Sequence, residues 1–402
     1  MLTPYDEFPV HQSAHPFSHV PSTDYSWDDG YYFGVMSPEH GVFLATGLRV
    51  NPNSDMVGGY ALLNIRGRQF TLRFNRCWRP DFSLRVGPYE ITFVEPLKKI
   101  RLTLDANDSG LEFDVLWEGT SAPYLEGHHF SENRGRRTTE QSRYSQPGVC
   151  SGYIALRDSR FEVEPTGWTG TRDHSWGLYA ARAPLAPDPS YLPPKQVIGP
   201  ARALRFWTVF RTGDFSGFYH MHETAAGEQV KMNDVFGTPF EGKIFLGWDD
   251  ETIDLVSGRH ELTFQPGTRI LAGANVHLTD TQGRSWRHEI SIAAPPWVVH
   301  TMGYTAGSWK DGGTFHTYHG SETLAIEWDD FDFSVQPFKF TPYMIGNSAR
   351  DDFNTGLDTN ALIHGPEYLG DITTIAPDGS RHRGAGQIEF MLNGAYAPYG
   401  FK

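Results

Sequence analysis

Apolar and polar residues alternate along most of this chain, and this period of two limits the possible folds more than any other feature. The pattern is clear in residues 70–74, 100–104 and 111–117. Successive side chains of a β-strand point to opposite faces, so each stretch predicts a strand with one buried and one wet face. A polar turn signal, residues 107–110, separates the last two stretches. The alternation therefore predicts antiparallel strands joined by hairpins.

Composition supports an all-β fold. Aromatic residues make up 14% of the chain, a content that favours half-buried strands. The 42 glycines and 27 prolines would interrupt most long helices, so we expect little α-helix. Many short strands must stack as a sandwich or close as a barrel, because open sheet edges promote aggregation.

A proline-rich segment divides the chain nearly in half. Residues 183–200 contain six prolines and cannot form a central strand. The strand pattern starts again at residues 205–210. A chain of 402 residues also exceeds the usual size of one hydrophobic core. We therefore predict an N-terminal β domain in 1–182, a linker in 183–200 and a C-terminal β domain in 201–402.

Charge and cysteine content exclude several classes of protein. Acidic residues outnumber basic ones by 48 to 34, and a net charge of −14 repels phosphate backbones, so no nucleic-acid partner is expected. Two cysteines are too few for a disulfide framework. The sequence shows neither a signal-peptide pattern nor 18 uninterrupted apolar residues. We expect a soluble, cytoplasmic protein without an integral membrane segment, and its oligomeric state stays open.

The motif GTRDHSWG at residues 170–177 combines groups suited to acid chemistry. In an extended strand, His174 and Trp176 share one face and Asp173 lies on the other. Histidine exchanges its proton near neutral pH, and an indole face stabilises nearby positive charge. These two residues are therefore expected to face an apolar substrate. The alternative is a structural latch in which Arg172 and Asp173 satisfy each other.

The run Asp-His-Ser-Trp-Gly at 173–177, followed by the proline-rich link and by Arg-Phe-Trp-Thr-Val-Phe at 205–210, resembles the lipocalin-like two-barrel family of the carotenoid 1,2-hydratases and AttH-type proteins. The architectural resemblance spans most of the chain, whereas the motif covers five residues. It implies two lipocalin-like antiparallel β-barrel or half-barrel domains in tandem. It also implies acid catalysis, without a cofactor, on a double bond of an apolar substrate.

The family's motif His and Trp fall on His174 and Trp176. Its further Tyr and Asp, two residues apart on an early strand of the second unit, match only in part. Tyr219 is present, but Met221 stands where the Asp would be, and Glu223 offers an acid on the same strand face. The predicted catalytic residues are His174, Asp173, Tyr219 and Glu223, and the predicted substrate-binding residues are Trp176, Trp207, His129 and His222.

Other motifs add little. His220 and His222 share a strand face at a spacing that suits a metal, but the sequence places no third ligand, so no metal site is predicted. The nucleophile-elbow, dinucleotide and phosphate-loop patterns do not occur in the sequence. Hydride transfer and phosphoryl transfer are therefore not supported.

The leading functional hypothesis is a cofactor-independent lyase, hydratase or isomerase that acts by acid–base catalysis on a hydrophobic small molecule, such as an isoprenoid or a polycyclic aromatic compound. One alternative is a non-catalytic carrier of apolar ligands, since β-barrels also enclose ligands without transforming them. Another is a pericyclase, which shapes its substrate and needs few titratable groups.

Overall fold

The computed structural model describes residues 7, 9, 13–79, 83–133, 135–179, 203–230, 239–249, 252–303, 308–334, 366–392 and 394–402. Within these ranges the chain forms 22 β-strands and two short 3-10 helices, Val299–Met302 and Ala397–Tyr399, and no α-helix. None of the described helices has the length and apolar character needed to cross a membrane. The predicted linker 183–200 lies outside the described residues, so the domain boundary stays a prediction.

The strands before the linker are β1 (Trp27–Ser37), β2 (Val42–Asn51), β3 (Met56–Ile65), β4 (Arg68–Cys77), β5 (Arg85–Val86), β6 (Tyr89–Glu95), β7 (Lys99–Leu104), β8 (Leu111–Gly119), β9 (Tyr124–Asn133), β10 (Arg136–Leu156), β11 (Ser159–Val163) and β12 (Thr169–Tyr179). Those after it are β13 (Leu204–Thr212), β14 (Phe215–Glu223), β15 (Phe240–Phe245), β16 (Thr252–Phe264), β17 (Leu271–Asp280), β18 (Ser285–Ile292), β19 (Trp297–Val298), β20 (Ala325–Asp332), β21 (Pro366–Ile375) and β22 (Arg381–Leu392).

The strands form two antiparallel sheets. The first has 13 strands in the order β20-β4-β3-β2-β1-β12-β10-β8-β7-β6-β5, with β9 and β11 also paired to β10, and it stays open as a half-barrel. The second has nine strands in the order β18-β17-β16-β15-β14-β13-β22-β21-β19. Because β18 also pairs with β21, eight of these strands close into a barrel. The prediction of an all-β chain made of a half-barrel and a barrel is confirmed.

The interior of the barrel is filled by side chains. Its core residues come from opposite strands and are almost fully buried. They include Leu204, Phe206, Phe210, Tyr219, Met221, Ile244, Leu271, Val276, Ile372, Ile388 and Phe390. The closed barrel is therefore a packed core rather than an open cup.

The second half of the chain also contributes to the first sheet. Strand β20 pairs with β4 at the sheet edge. Arg73 of β4 is fully buried, and its Nε donates a 2.9 Å hydrogen bond to Oε1 of Glu327. The same guanidinium forms an ion pair with Asp329, so two carboxylates of β20 converge on one buried cation. This arrangement holds β20 against the half-barrel.

The two sheets meet through β10 and β12 on one side and β13, β14 and β22 on the other. Thr171 Oγ1 donates a 2.8 Å hydrogen bond to Gln387 Oε1 across this buried contact. A Cβ at Gly34 would lie 2.5 Å from that hydroxyl oxygen and 3.3 Å from the amide oxygen of Gln387. Only glycine permits the approach at this point, so the sheets pack closely here.

Replacing Arg73 tests the attachment of β20. We expect Arg73→Met to lower the free energy of unfolding by about 3 kcal/mol, because Glu327 and Asp329 lose their shared cation. Urea denaturation monitored by tryptophan fluorescence measures the change. Arg68→Met, at an exposed position of the same strand, is the control and should change stability little. Equal stability of the Arg73 variant and the wild type would contradict this account.

Candidate functional site

Strand β12 separates the predicted residues onto two faces. It lies between β1 and β10 and pairs with both along its length. Thr171 bonds to the barrel, and Asp173 lies two residues along on that same face. His174 lies on the opposite face, where its ring stacks on Tyr31 with 4.2 Å between centroids. Asp173 therefore faces the barrel, while His174 faces the interior of the half-barrel.

A row of polar and aromatic side chains crosses the outer face of the barrel. Direct cross-strand pairs link these residues, and directly opposite residues share a face. The row runs over five neighbouring strands, from β15 to β21, in the order Glu241, His220, Trp207, Glu389 and Glu367. Because the half-barrel covers this face, His220, Trp207 and Glu367 are buried.

A matching row lies on the facing side of the half-barrel. Its members are also direct cross-strand neighbours: Tyr124, Ser145, Asp173 and Tyr32. The Tyr124 hydroxyl donates a hydrogen bond to Oε1 of Glu241, which joins the two rows. We call the set formed by the two rows with Glu126, His129, Arg143, Arg205, His222 and Gln387 the interdomain cluster.

Glu367 is a buried carboxyl with a perturbed charge. Its Oε2 accepts a 3.0 Å hydrogen bond from Gln387 Nε2. Burial raises the pKa of Glu367 well above its usual 4.5, and the neighbouring Glu389 raises it further. Glu389 accepts a 2.7 Å hydrogen bond from Arg205 Nη2. The cluster therefore places a carboxyl that retains its proton directly beside one that is paired with a cation.

Glu126 is a second buried carboxyl, on the half-barrel side. It accepts a hydrogen bond from the Ser145 hydroxyl. Burial raises the pKa of Glu126, although Arg143 and this hydrogen bond act in the opposite direction. Burial lowers the pKa of Arg143, but the negative charges of Asp173 and Glu126 raise it by more. The net pKa of the guanidinium is therefore raised. Asp173 thus has Arg143 as its nearby cation.

Two imidazoles of the cluster, those of His129 and His220, have lowered pKa values. Burial, reinforced by Arg143, lowers the pKa of His129 to about 3. Burial also lowers the pKa of His220, whose Nδ1 lies 3.1 Å from Nε2 of His222. Among the described residues no group of three or more His, Cys, Asp and Glu side chains is arranged to hold a metal ion. Trp207 adds a buried indole N–H that makes no hydrogen bond within the described part of the chain.

A second group surrounds His174 at the rim of the half-barrel. His174 Nε2 lies 2.7 Å from Oδ1 of Asp29, and Nδ1 lies 3.2 Å from the Tyr144 hydroxyl. Burial raises the pKa of Tyr144, so its hydroxyl keeps its proton. The Trp176 ring is 5.1 Å from that of His174 and is 38% exposed. We call Asp29, Tyr144, His174 and Trp176 the rim group.

Tyr219 and Glu223 lie in neither group, because their strand face points into the barrel. Tyr219 is fully buried, and its hydroxyl is 3.3 Å from Nδ1 of His288. Glu223 lies 3.0 Å from Nε2 of His260 and accepts a hydrogen bond from the Tyr396 hydroxyl. The two residues share a face as expected from their spacing. The structure does not bring them together with His174 or Asp173.

The predicted site residues therefore occupy three places. Asp173, Trp207, His129 and His222 belong to the interdomain cluster, His174 and Trp176 belong to the rim group, and Tyr219 and Glu223 lie in the barrel. Sequence reasoning missed Glu367 and Glu389, whose strands show only an ordinary polar face. The pairing of Arg172 with Asp173 in the latch alternative is wrong, because these residues lie on opposite faces of β12.

Comparison with known proteins places the chain in a family without assigning a reaction. Residues 2–340 match the family described as Family of unknown function (DUF8625). The chain belongs to this family. No curated protein matches the sequence.

Two solved proteins have similar structures at low sequence identity. Kievitone hydratase from Nectria haematococca matches with a TM-score of 0.43 and 10% identity, over 94% of this chain and 93% of that one. CghA with Sch210972 matches with a TM-score of 0.41 and 7% identity, over 91% of this chain and 88% of that one. Likenesses this distant assign no residue a role, so the chemistry has to be argued from the side chains present.

The protonated state of Glu367 predicts a pH dependence of stability. Above the usual pKa of 4.5 the unfolded carboxyl loses its proton while the folded one keeps it, so stability falls as the pH rises toward the raised folded pKa. Glu367→Gln keeps a neutral side chain of the same shape. We expect its stability relative to the wild type to increase from acidic to alkaline pH, as measured by urea denaturation across that range.

The control for this experiment is Glu389→Gln. That change removes the carboxylate paired with Arg205 and should lower stability at neutral pH. A Glu367→Gln protein that loses stability relative to the wild type as the pH rises would show that Glu367 is ionised in the folded state.

Proposed function

We propose that this protein is a cofactor-independent enzyme that applies acid–base catalysis to a hydrophobic small molecule, as a hydratase or lyase or as an isomerase. The observation that supports this most directly is the pair of adjacent carboxyls, Glu367 and Glu389. One is buried with a raised pKa, and the other is ion-paired with Arg205. Two carboxyls whose environments separate their protonation states supply a proton donor and a proton acceptor at the same pH.

In the hydration direction the proposed steps balance within the cluster. Glu367 donates its proton to one carbon of an alkene, and a cation develops on the other carbon. Water adds there and gives up a proton to Glu389. Transfer of that proton back to the neighbouring Glu367 restores the starting state. The net reaction adds one water to one double bond, and dehydration follows the same steps in reverse. Isomerisation differs only in that Glu389 removes a proton from the substrate itself.

Aromatic residues beside the carboxyls support an apolar substrate. Trp207 packs on Phe218 at 5.8 Å between ring centroids, and Phe218 packs on Tyr124 at 5.3 Å. An indole face stabilises a developing cation more strongly where water is excluded. The substrate we propose is therefore a greasy molecule with a double bond or a tertiary alcohol, of the isoprenoid or polycyclic aromatic class.

The rim group is the second candidate location for the same chemistry. Its His174 lies between the carboxylate of Asp29 and the hydroxyl of Tyr144, an arrangement that orients an imidazole for proton transfer. Trp176 beside it is partly exposed, so a ligand has access. This location agrees with the role that the sequence resemblance gives to His174 and Trp176.

The two other functional hypotheses have less support. A carrier needs no titratable groups beside its ligand, whereas the contact between the sheets holds several buried ones. A pericyclase would need shape rather than protons, and the concentration of buried titratable groups between the sheets favours acid–base chemistry instead. A pH-independent rate would favour the pericyclase.

Turnover in deuterium oxide tests the proposal. We expect isoprenoids or polycyclic aromatics that carry a double bond to yield products with one deuterium on carbon, detected by mass spectrometry. Glu367→Gln should lower turnover about 100-fold to 10,000-fold, the usual contribution of a general acid. Glu261→Gln, at an exposed glutamate of the barrel, is the matched control and should leave turnover unchanged.

The outcomes separate the two locations. If His174→Ala abolishes turnover while Glu367→Gln and Glu126→Gln leave it intact, the rim group is the catalytic site. If the wild-type protein binds the tested compounds but converts none of them, the protein is a carrier and the proposal fails.

A further inference from the structure

Arg172 is a buried cation whose polar contacts are all neutral. Its side chain is 2% exposed. Nε donates a 2.8 Å hydrogen bond to Gln146 Oε1, and Nη2 donates a 3.4 Å hydrogen bond to the Leu97 carbonyl. The guanidinium carbon lies 5.0 Å from the ring centroid of Trp117 and 5.1 Å from that of Tyr144. Within the described part of the chain, no carboxylate forms an ion pair with it.

Other buried arginines of the same sheet have acidic partners. Arg49 pairs with Asp28 at 2.8 Å, and Arg73 pairs with Glu327 at 2.7 Å as well as with Asp329. Burying a charge without an opposite charge is among the most costly arrangements in a folded protein. Burial lowers the pKa of Arg172, but a guanidinium remains charged at physiological pH. Among the described residues, this position therefore carries a positive charge without an ion-pair partner.

The acceptor at Nη2 belongs to a strained surface turn. Leu97, between β6 and β7, has φ of 66°, the left-handed region that a branched side chain rarely adopts. Its side chain is 45% exposed. A donor–acceptor distance of 3.4 Å is beyond the range of a good N–H···O hydrogen bond. This carbonyl is consequently a weak and replaceable partner of the guanidinium.

Aromatic rings connect the buried Arg172 with partly exposed side chains: Tyr144 lies against the guanidinium, and its ring centroid is 6.3 Å from that of Trp176. Tyr144, against the guanidinium, also bonds to His174 of the rim group. Phe93 and Trp176 are 39% and 38% exposed, and Phe93 contacts Tyr31 with 5.7 Å between ring centroids. Partly exposed rings near a buried cation are suited to a ligand with one apolar end and one charged end.

We propose that Arg172 is the anion-binding residue of a second ligand site, which takes a small aromatic monocarboxylate at the rim of the half-barrel. The ligand carboxylate replaces the Leu97 carbonyl and accepts two parallel hydrogen bonds from the guanidinium. Phe93 and Trp176 cover its apolar part. The carboxylate of Asp29 in the rim group selects against a ligand with a second negative charge. The site lies on the opposite face of β12 from the interdomain cluster, so it is separate from the carboxyl pair Glu367 and Glu389, and it adjoins the rim group.

Calorimetric titration of the full chain with benzoate and with benzamide tests the site. Benzamide has nearly the same shape but no charge. We expect benzoate to bind. Benzamide should bind with an affinity at least about tenfold lower, because the charge-assisted pair is lost. Arg172→Met should reduce benzoate affinity to the same degree. Arg172→Lys, which keeps the charge but not the forked geometry, should be intermediate.

Thermal melting separates a binding role from a structural one. Without ligand, Arg172→Met should melt at the same temperature as the wild type or higher, because it removes an uncompensated buried charge. Arg73→Met is the matched control: it should melt lower, since its carboxylate partners remain, and should bind benzoate as the wild type does.

Three results would each overturn the proposal. They are equal binding of benzoate and benzamide by the wild type, unchanged benzoate affinity in Arg172→Met, and a fall in the melting temperature of Arg172→Met as large as that of Arg73→Met. A loss of turnover in the Glu367 variant has no bearing on this site.

Discussion

Strand β12 has both of its faces covered, and the rest of the molecule depends on how it distributes its side chains. One edge is held by β1 and the other by β10, the longest strand, which also pairs with β8, β9 and β11. A strand in this position has no face left for solvent along most of its length. Alternate residues must therefore pack in two different environments, one between the sheets and one within the half-barrel.

The contact between the sheets is polar, and a proton on Glu367 lowers the energetic cost of burying it. Glu367 and Glu389 are direct cross-strand neighbours, where like charges repel. A proton retained on Glu367 removes that repulsion, and Arg205 neutralises Glu389. The burial that makes this contact costly also raises the pKa of Glu367. The cost of burial and the capacity for acid–base chemistry thus have one physical origin.

Sequence alternation predicted the all-β fold and the extended conformation of β12, because a period of two is a local property of the sequence. The separation of Asp173 from His174 follows from the same rule. Alternation did not reveal the interdomain cluster. It shows that one face of β13 or β22 is polar, but it does not show which part of the chain covers that face. Arg205 and Glu389 stand at alternate polar positions, which are typical of a solvent-exposed face. Only the docking of the two sheets covers most of their surface.

Long-range pairing was also beyond sequence reasoning. Strand β20 lies about 250 positions after β4, its partner, and nothing local in either stretch specifies the other. For Tyr219 and Glu223, spacing correctly predicts a shared face. Which of the two faces of β14 points into the barrel depends on the direction of closure, which no single strand encodes. Their separation from Asp173 therefore follows from tertiary structure alone.

The register of β12 connects the two candidate sites. A slip of one residue would turn Arg172 toward the interdomain cluster, next to Arg143, and would turn Asp173 into the aromatic interior near Trp117. The first exchange would bring like charges together, and the second would bury a carboxylate among rings that favour a cation. Both penalties act on adjacent residues of one strand and favour the observed register. Neither candidate site can thus change its position on β12 without the other.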